Sequence, residues 1–269
     1  MRCVWCSNPE LLQPTKQVLH YRNKCQKCDL CVRLSQGTIT RRRDGLHIDR
    51  VNCTRLAEIA ALCPGEAYEE VGQYYSPAAL SALLLKDEVF YRKSAGGVTF
   101  SGGEAGLYPE YLIQVAQPLK KANIHLLLDT AGYWQAAEMK ALLPYLDLIY
   151  YDIKAYDPRL HLKLTGVDNA LILDNLRWLV QQGKTVVGRL PLVPGYNDDL
   201  ADLRWRLQLL TELKIKQADL LYYHELGSGK YQALGLPYPL PRGLSCPQVV
   251  KQEIVALVSD YDLAVNYLD

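Results

Sequence analysis

Charge of one sign is almost absent from this sequence: 30 lysines and arginines stand against 29 aspartates and glutamates, a formal net charge of +1. So balanced a chain has no general electrostatic pull toward nucleic acid or an anionic membrane, and neither is expected as a partner. The short Arg41-Arg42-Arg43 run reads as a solvated loop, diluted by its neighbours. Long hydrophobic runs are also missing. No stretch reaches the roughly 18 uninterrupted apolar residues of a spanning helix, and the first residues lack a secretory-signal pattern. A cytoplasmic location is the expectation. Phenylalanine is scarce, two residues against 19 tyrosines, an imbalance with no functional reading of its own. What is plentiful is core-forming material. With 269 residues, 49% hydrophobic and 22% charged, the chain can build one large α/β barrel or two ordinary domains.

Cysteine is the other abundance. Seven of the eight lie between Cys3 and Cys63, and Cys246, beside a Pro-rich loop, reads as an inert thiol. Close CxxC spacing in a reducing compartment favours metal or redox chemistry over a disulfide framework. Cys25, Cys28 and Cys31 form C-x2-C-x2-C, the opening of a bacterial ferredoxin-type run, whose fourth position is Ser35. A second run overlies Cys53 and Cys63-Pro64 as first and fourth positions, with Leu56 and Ile59 between. In two-cluster ferredoxins the cysteine before proline ligates the other run's cluster, so Cys25, Cys28, Cys31 and Cys63 make one complete set. The other set requires Ser35, Cys53, Leu56 and Ile59, of which only Cys53 can serve. One auxiliary 4Fe-4S cluster is therefore expected, with a second lost. A four-cysteine zinc site is the alternative, although zinc usually draws its ligands as two separated pairs. Cys3-Val4-Trp5-Cys6, followed by Ser7-Asn8-Pro9-Glu10, is weak as a lone CxxC; the redox-dithiol reading lacks its strand and helix context.

From about residue 75 onward, short apolar runs alternate with amphipathic ones. Strands are expected at Gly97 to Ser101, Ile124 to Asp129, Leu148 to Ile153, Thr185 to Leu190, Leu220 to Tyr223 and Leu263 to Tyr267. Helical patterns fall between them, at about 77 to 92, 108 to 122, 134 to 143, 170 to 182, 199 to 213 and 247 to 258. Such βα alternation implies a parallel sheet, open or closed into a partial barrel. Function in these folds collects at the carboxyl ends of the strands. Ser101-Gly102-Gly103-Glu104, Asp129-Thr130, Asp152, Lys154, Arg189 and His224 all stand at or just past a strand end.

These segments together resemble the glycyl radical enzyme activating enzymes of the radical S-adenosylmethionine superfamily. The opening Cys3-Val4-Trp5-Cys6-Ser7-Asn8-Pro9-Glu10 is similar to the end of that family's C-x3-C-x2-C cluster loop. Gly102-Gly103-Glu104, Asp129-Thr130-Ala131-Gly132, Asp152-Ile153-Lys154, the Arg189 to Asn197 run and Tyr223-His224 through Lys230-Tyr231 follow in the family's order. The loop's first cysteine falls two residues ahead of Met1, so its set is incomplete within this sequence, and an internal methionine of a longer reading frame is the expected reason.

The resemblance implies an α/β fold, a partial (βα)6 parallel barrel over 71–269. It implies a ferredoxin-like insert over 21–70, with residues 1–20 as the remnant of the cluster loop. It implies reductive cleavage of S-adenosylmethionine at a 4Fe-4S cluster on Cys3 and Cys6, and hydrogen abstraction from a partner glycine by the 5′-deoxyadenosyl radical. Gly102, Gly103 and Glu104 are then expected at the cofactor's amino group. Asp152 and Lys154, flanking Ile153, would bracket its methionine end, and Asp129 would join Asp152 around a monovalent cation. Arg189 would contact carboxylate or ribose, with His224, Trp5 and Ser7 toward the adenine. A glycyl radical enzyme is the implied substrate, and reduced flavodoxin or ferredoxin the implied electron donor. A radical enzyme with another substrate, and a truncated non-catalytic iron-sulfur carrier, remain as alternatives.

Overall fold

The computed structural model describes residues 1–13 and 15–268. The chain forms two compact units: Met1–Val4 with Tyr75–His224 and Arg242–Asp269, and Trp5–Tyr74 with Glu225–Pro241.

The smaller, cysteine-rich unit carries strands β1 (Gln17–His20), β2 (Ile39–Arg42), β3 (Gly45–Ile48) and β4 (Tyr68–Val71). β1 pairs with β4 and β2 with β3, both antiparallel. Short helices at Leu30–Leu34, which contains Cys31, and at Leu56–Ala61, between Cys53 and Cys63, lie within the two cysteine runs. Val18, Ile39, Cys53, Leu56, Ile59, Ala67 and Tyr68 form their shared core. Sequence periodicity gives no warning of these strands, because four residues are too few to establish alternation.

The larger unit is the expected βα repeat. Its strands β5 (Gly97–Phe100), β6 (His125–Thr130), β7 (Leu148–Asp152), β8 (Val186–Leu192), β9 (Gln217–Tyr222) and β10 (Ala264–Leu268) form one six-stranded sheet, ordered β10-β9-β8-β7-β6-β5. Every pairing is parallel and joins consecutive strands. All the carboxyl ends therefore lie on one edge.

Boundaries moved where local chemistry overrode periodicity. The helix expected over 77 to 92 is two, Pro77–Leu85 and Glu88–Ser94. Lys86 and Asp87 make tight i→i−3 bonds at the break, and aspartate is a poor helix-interior residue. β9 starts three residues earlier than expected because Asp219 is buried, its carboxylate bonded by Asn266 Nδ2 at 2.8 Å. A helix over Pro158–Thr165, not foreseen, is announced by Asp157, which accepts from Leu160 N–H at 2.7 Å, and closed by Gly166 at φ +81°.

Arg206 anchors the outer layer. Its side chain is fully buried, 2.9 Å from Asp202, and donates to the carbonyls of Asn197 at 2.6 Å and Pro191 at 3.3 Å. Desolvation lowers its pKa, and the carboxylate of Asp202 resists that. Truncation would strand a buried carboxylate, so Arg206→Ala is expected to cost about 3–5 kcal/mol of stability. A urea midpoint indistinguishable from the native protein's would refute this anchoring role.

Candidate cofactor site and cysteine pocket

At the carboxyl edge of the sheet, four charged side chains form two linked pairs. Lys154 Nζ lies 2.6 Å from Asp152 Oδ2, and Arg189 Nη1 lies 2.8 Å from Asp129 Oδ1. Ser101 donates to the other oxygen of Asp129 at 3.0 Å. The pairs communicate through backbone and field: Ile153 N–H donates to Arg189 O at 2.8 Å, and Asp152 helps hold the guanidinium charged. Arg189 Nε is buried without a hydrogen-bond partner.

Lys154 shows the electrostatics most clearly. Burial alone pulls its pKa down, but the charges of Asp152, Cys3 and Glu104 overcome it and hold the ammonium above the ordinary lysine range. Cys3 reaches this neighbourhood because Arg2 N–H and Val4 N–H donate to the carbonyls of Thr165 and Leu164, at 2.7 and 3.0 Å. Its thiol pKa is pushed up by burial, with Lys154 pulling it back and Asp152 adding to the rise.

The loop after β5 is tied down by Glu104. Its carboxylate accepts from Thr130 Oγ1 at 2.6 Å, Ala131 N–H at 2.8 Å and Gly106 N–H at 3.1 Å. Burial nonetheless raises its pKa. The carboxylate thus holds the loop to the end of β6, while Gly102 at φ +129° and Gly103 stay exposed. Gly132 is needed for a different reason: a Cβ there would lie 1.7 Å from the Tyr151 hydroxyl. Ile153 is buried in the core, so it contributes the spacing between Asp152 and Lys154. His224 is exposed just past β9.

Trp5, Cys6 and Ser7 belong to the smaller unit. There Lys230 Nζ binds Asn8 Oδ1 and Glu10 Oε1, each at 2.6 Å, and a Cβ on Gly227 would lie 2.7 Å from Ser7 Cα. The late motif therefore fastens the Asn-Pro-Glu segment. In the same unit Cys25, Cys28, Cys31 and Cys63 line one pocket with Pro64, Gly65 and Tyr68. Ala67 N–H points at Cys63 Sγ, 3.4 Å away. Among the described residues no three His, Cys, Asp or Glu side chains converge closely enough to hold a single metal ion; these four thiols are spread round the pocket wall instead.

A model of the radical SAM superfamily matches residues 1–204. The chain belongs to that superfamily. Within it, the chain belongs to the glycyl radical enzyme activating enzymes. The choline trimethylamine-lyase activating enzyme of Oleidesulfovibrio alaskensis is 33% identical across 100% of this chain and 89% of its own length. The trans-4-hydroxy-L-proline dehydratase activating enzyme of Clostridioides difficile is 35% identical, covering 88% and 80%. The pyruvate formate-lyase 2-activating enzyme of Escherichia coli is 31% identical, covering 87% and 71%. A domain of a pyruvate-formate lyase-activating enzyme from Bacteroides vulgatus superposes with TM-score 0.54 at 26% identity, over 65% of this chain and 99% of that one. A radical SAM methyltransferase from Sphaerobacter thermophilus, TM-score 0.55 at 14% identity over 73% and 59%, shares the fold.

The charged cluster at the strand ends is braced by a residue that strand-end reasoning passed over. Asn197 is fully buried, accepts from Val193 N–H at 2.6 Å, and donates to Lys154 O at 2.7 Å and Pro191 O at 2.8 Å. It staples the end of β8 to Lys154. Its sequence signal was its place at the end of the Arg189 to Asn197 run, closing the Pro194-Gly195-Tyr196-Asn197 turn. Asn197→Ala in this activating enzyme is expected to cost about 3 kcal/mol, from three bonds at roughly 1 kcal/mol each. Chemical denaturation checks the loss, and calorimetry with S-adenosylmethionine should show weaker binding; native values for both would contradict the staple.

Proposed function

We propose that this protein installs a glycyl radical on a partner enzyme, holding S-adenosylmethionine over the strand ends of the larger unit. The observation that carries the reading is the paired set Asp129–Arg189 and Asp152–Lys154 gathered on one edge beside Cys3. When bound, S-adenosylmethionine and a 4Fe-4S cluster supply a one-electron reductive cleavage and a hydrogen-atom abstraction from a glycine Cα.

The residues divide the work of holding that cofactor. Lys154 presents a fixed ammonium and Asp152 a carboxylate, complements to the carboxylate and ammonium of a methionine moiety. Arg189, with its Nε still unpartnered, has a donor to spare for carboxylate or ribose. Gly102 and Gly103 leave backbone carbonyls open to an ammonium, since no side chain covers them. Asp129 and Asp152 also offer oxygens to a monovalent cation, and Trp5, Ser7 and His224 are assigned to the adenine side. Cys3 and Cys6 are the cluster thiolates within this sequence.

In the smaller unit the four-thiol pocket supports one ferredoxin-like auxiliary 4Fe-4S cluster, taking electrons from reduced flavodoxin or ferredoxin. The second set has no room for iron. Ser35 is buried and its hydroxyl is taken up by the backbone, accepting from Ile39 N–H at 3.0 Å and lying 2.9 Å from Val32 O. Cys53, Leu56 and Ile59 are buried together in the apolar core.

The test is anaerobic reconstitution of the protein with whatever residues its gene encodes ahead of Met1. About eight irons per chain are expected, with a reduced paramagnetic resonance spectrum that S-adenosylmethionine alters. Cys28→Ala should remove about four irons and leave the cofactor-sensitive signal, whereas Cys3→Ala should remove that signal and leave about four. The reading fails if Cys3→Ala keeps both the cofactor response and 5′-deoxyadenosine formation.

A further inference from the structure

Tyr68 opens β4 and stands opposite His20 in β1, the two rings 4.8 Å apart. Its hydroxyl is buried and has no nitrogen or oxygen partner among the described residues. Buried tyrosine hydroxyls normally find a partner, and an orphaned one destabilises the fold. Tyrosine is this chain's common aromatic, so the residue type alone argues nothing. What surrounds the hydroxyl is what counts. Tyr68 forms part of the wall of the pocket lined by Cys25, Cys28, Cys31 and Cys63. The thiols of Cys31, Cys63 and Cys25 are its electrostatic neighbours there.

A neutral thiol is a weak acceptor, whereas a metal-bound thiolate or cluster sulfide carries negative charge and accepts strongly. A donor left without an oxygen or nitrogen and turned toward sulfur is thus matched to the ligated state of the pocket. The preceding residue shows the same orientation, for Ala67 N–H already points at Cys63 Sγ. Two consecutive residues at the start of β4 aim donors at two of the four ligands.

We propose that Tyr68 donates its O–H to a sulfur of the auxiliary cluster and sets that cluster's reduction potential upward. This rests on the reading that Cys25, Cys28, Cys31 and Cys63 bind a 4Fe-4S cluster. Hydrogen bonds to cluster sulfurs favour the more negative, reduced state. The hydroxyl makes the auxiliary cluster easier to reduce by a carrier and a poorer donor once reduced. Tyr68 is a tuning residue, not a catalytic one, and a phenylalanine would fill the same space in the core.

The experiment is a potentiometric titration of the auxiliary cluster in the reconstituted full chain, followed by paramagnetic resonance. Tyr68→Phe should retain the native iron count while its one-electron equilibrium with a mediator dye shifts about tenfold toward the oxidised form, ~59 mV. Site-specific replacement of Tyr68 by a fluorotyrosine, a more acidic donor of nearly the same shape, should shift the midpoint the opposite way. That pair of signs separates hydrogen bonding from a packing effect, and the fluorotyrosine variant stands alone if the phenylalanine variant does not fold. A filled cluster whose midpoint moves with neither variant overturns this inference alone. Native protein with no auxiliary iron overturns the cluster reading, and this inference with it.

Discussion

Lys154 is enclosed by protein yet charged, and that single constraint organises the larger unit. A buried ammonium is tolerated only where opposite charges compensate its lost hydration. Asp152 supplies the direct contact, and Cys3 and Glu104 add to the field. Each of those groups is fixed by a different device: the N-terminal segment by backbone bonds to Thr165 and Leu164, Glu104 by three donors, Lys154 itself by Asn197. A parallel sheet makes this convergence possible because consecutive strands end on the same edge.

The two cysteine sets in the smaller unit are a natural comparison. Both sit around short helices and share one apolar core. In the set with four thiols, an amide N–H and a phenol turn toward sulfur. In the set reduced to Cys53, serine has turned its hydroxyl to the backbone and leucine and isoleucine fill the space. Burying aliphatic side chains there favours folding, roughly 1.5–3 kcal/mol for each large side chain.

The larger unit was legible because its signals are long. Runs such as Thr185 to Leu190 are bounded by helices of 12 and 13 residues, and the polar residues that close them stand out against apolar neighbours. Asp129, Asp152, Lys154 and Arg189 were therefore visible at once. The partners of these groups were not, since a hydrogen bond from Asn197 to Lys154 O spans 43 positions and leaves no periodic trace. Glu104 stood out in the Gly102-Gly103-Glu104 turn, but its three internal bonds could be seen only in three dimensions. The four-cysteine set was suggested by spacing, whereas Tyr68 was one tyrosine among 19 until it was found in the wall of the cysteine pocket.

Charge balance at the strand ends makes the cofactor assignment more than a matter of motifs. Asp129 and Asp152 balance Lys154 and Arg189, while Glu104 accepts from two N–H groups and a hydroxyl that oppose the upward pull of burial on its pKa. S-adenosylmethionine carries an ammonium, a carboxylate and a sulfonium, one net positive charge. The two ion pairs present an opposite charge for each end of that zwitterion. In a low-dielectric setting such complementarity is worth far more than in water, and a mismatch would be correspondingly costly. A ligand bringing charge of one sign alone would leave one of these pairs unmatched, so the arrangement suits a zwitterion.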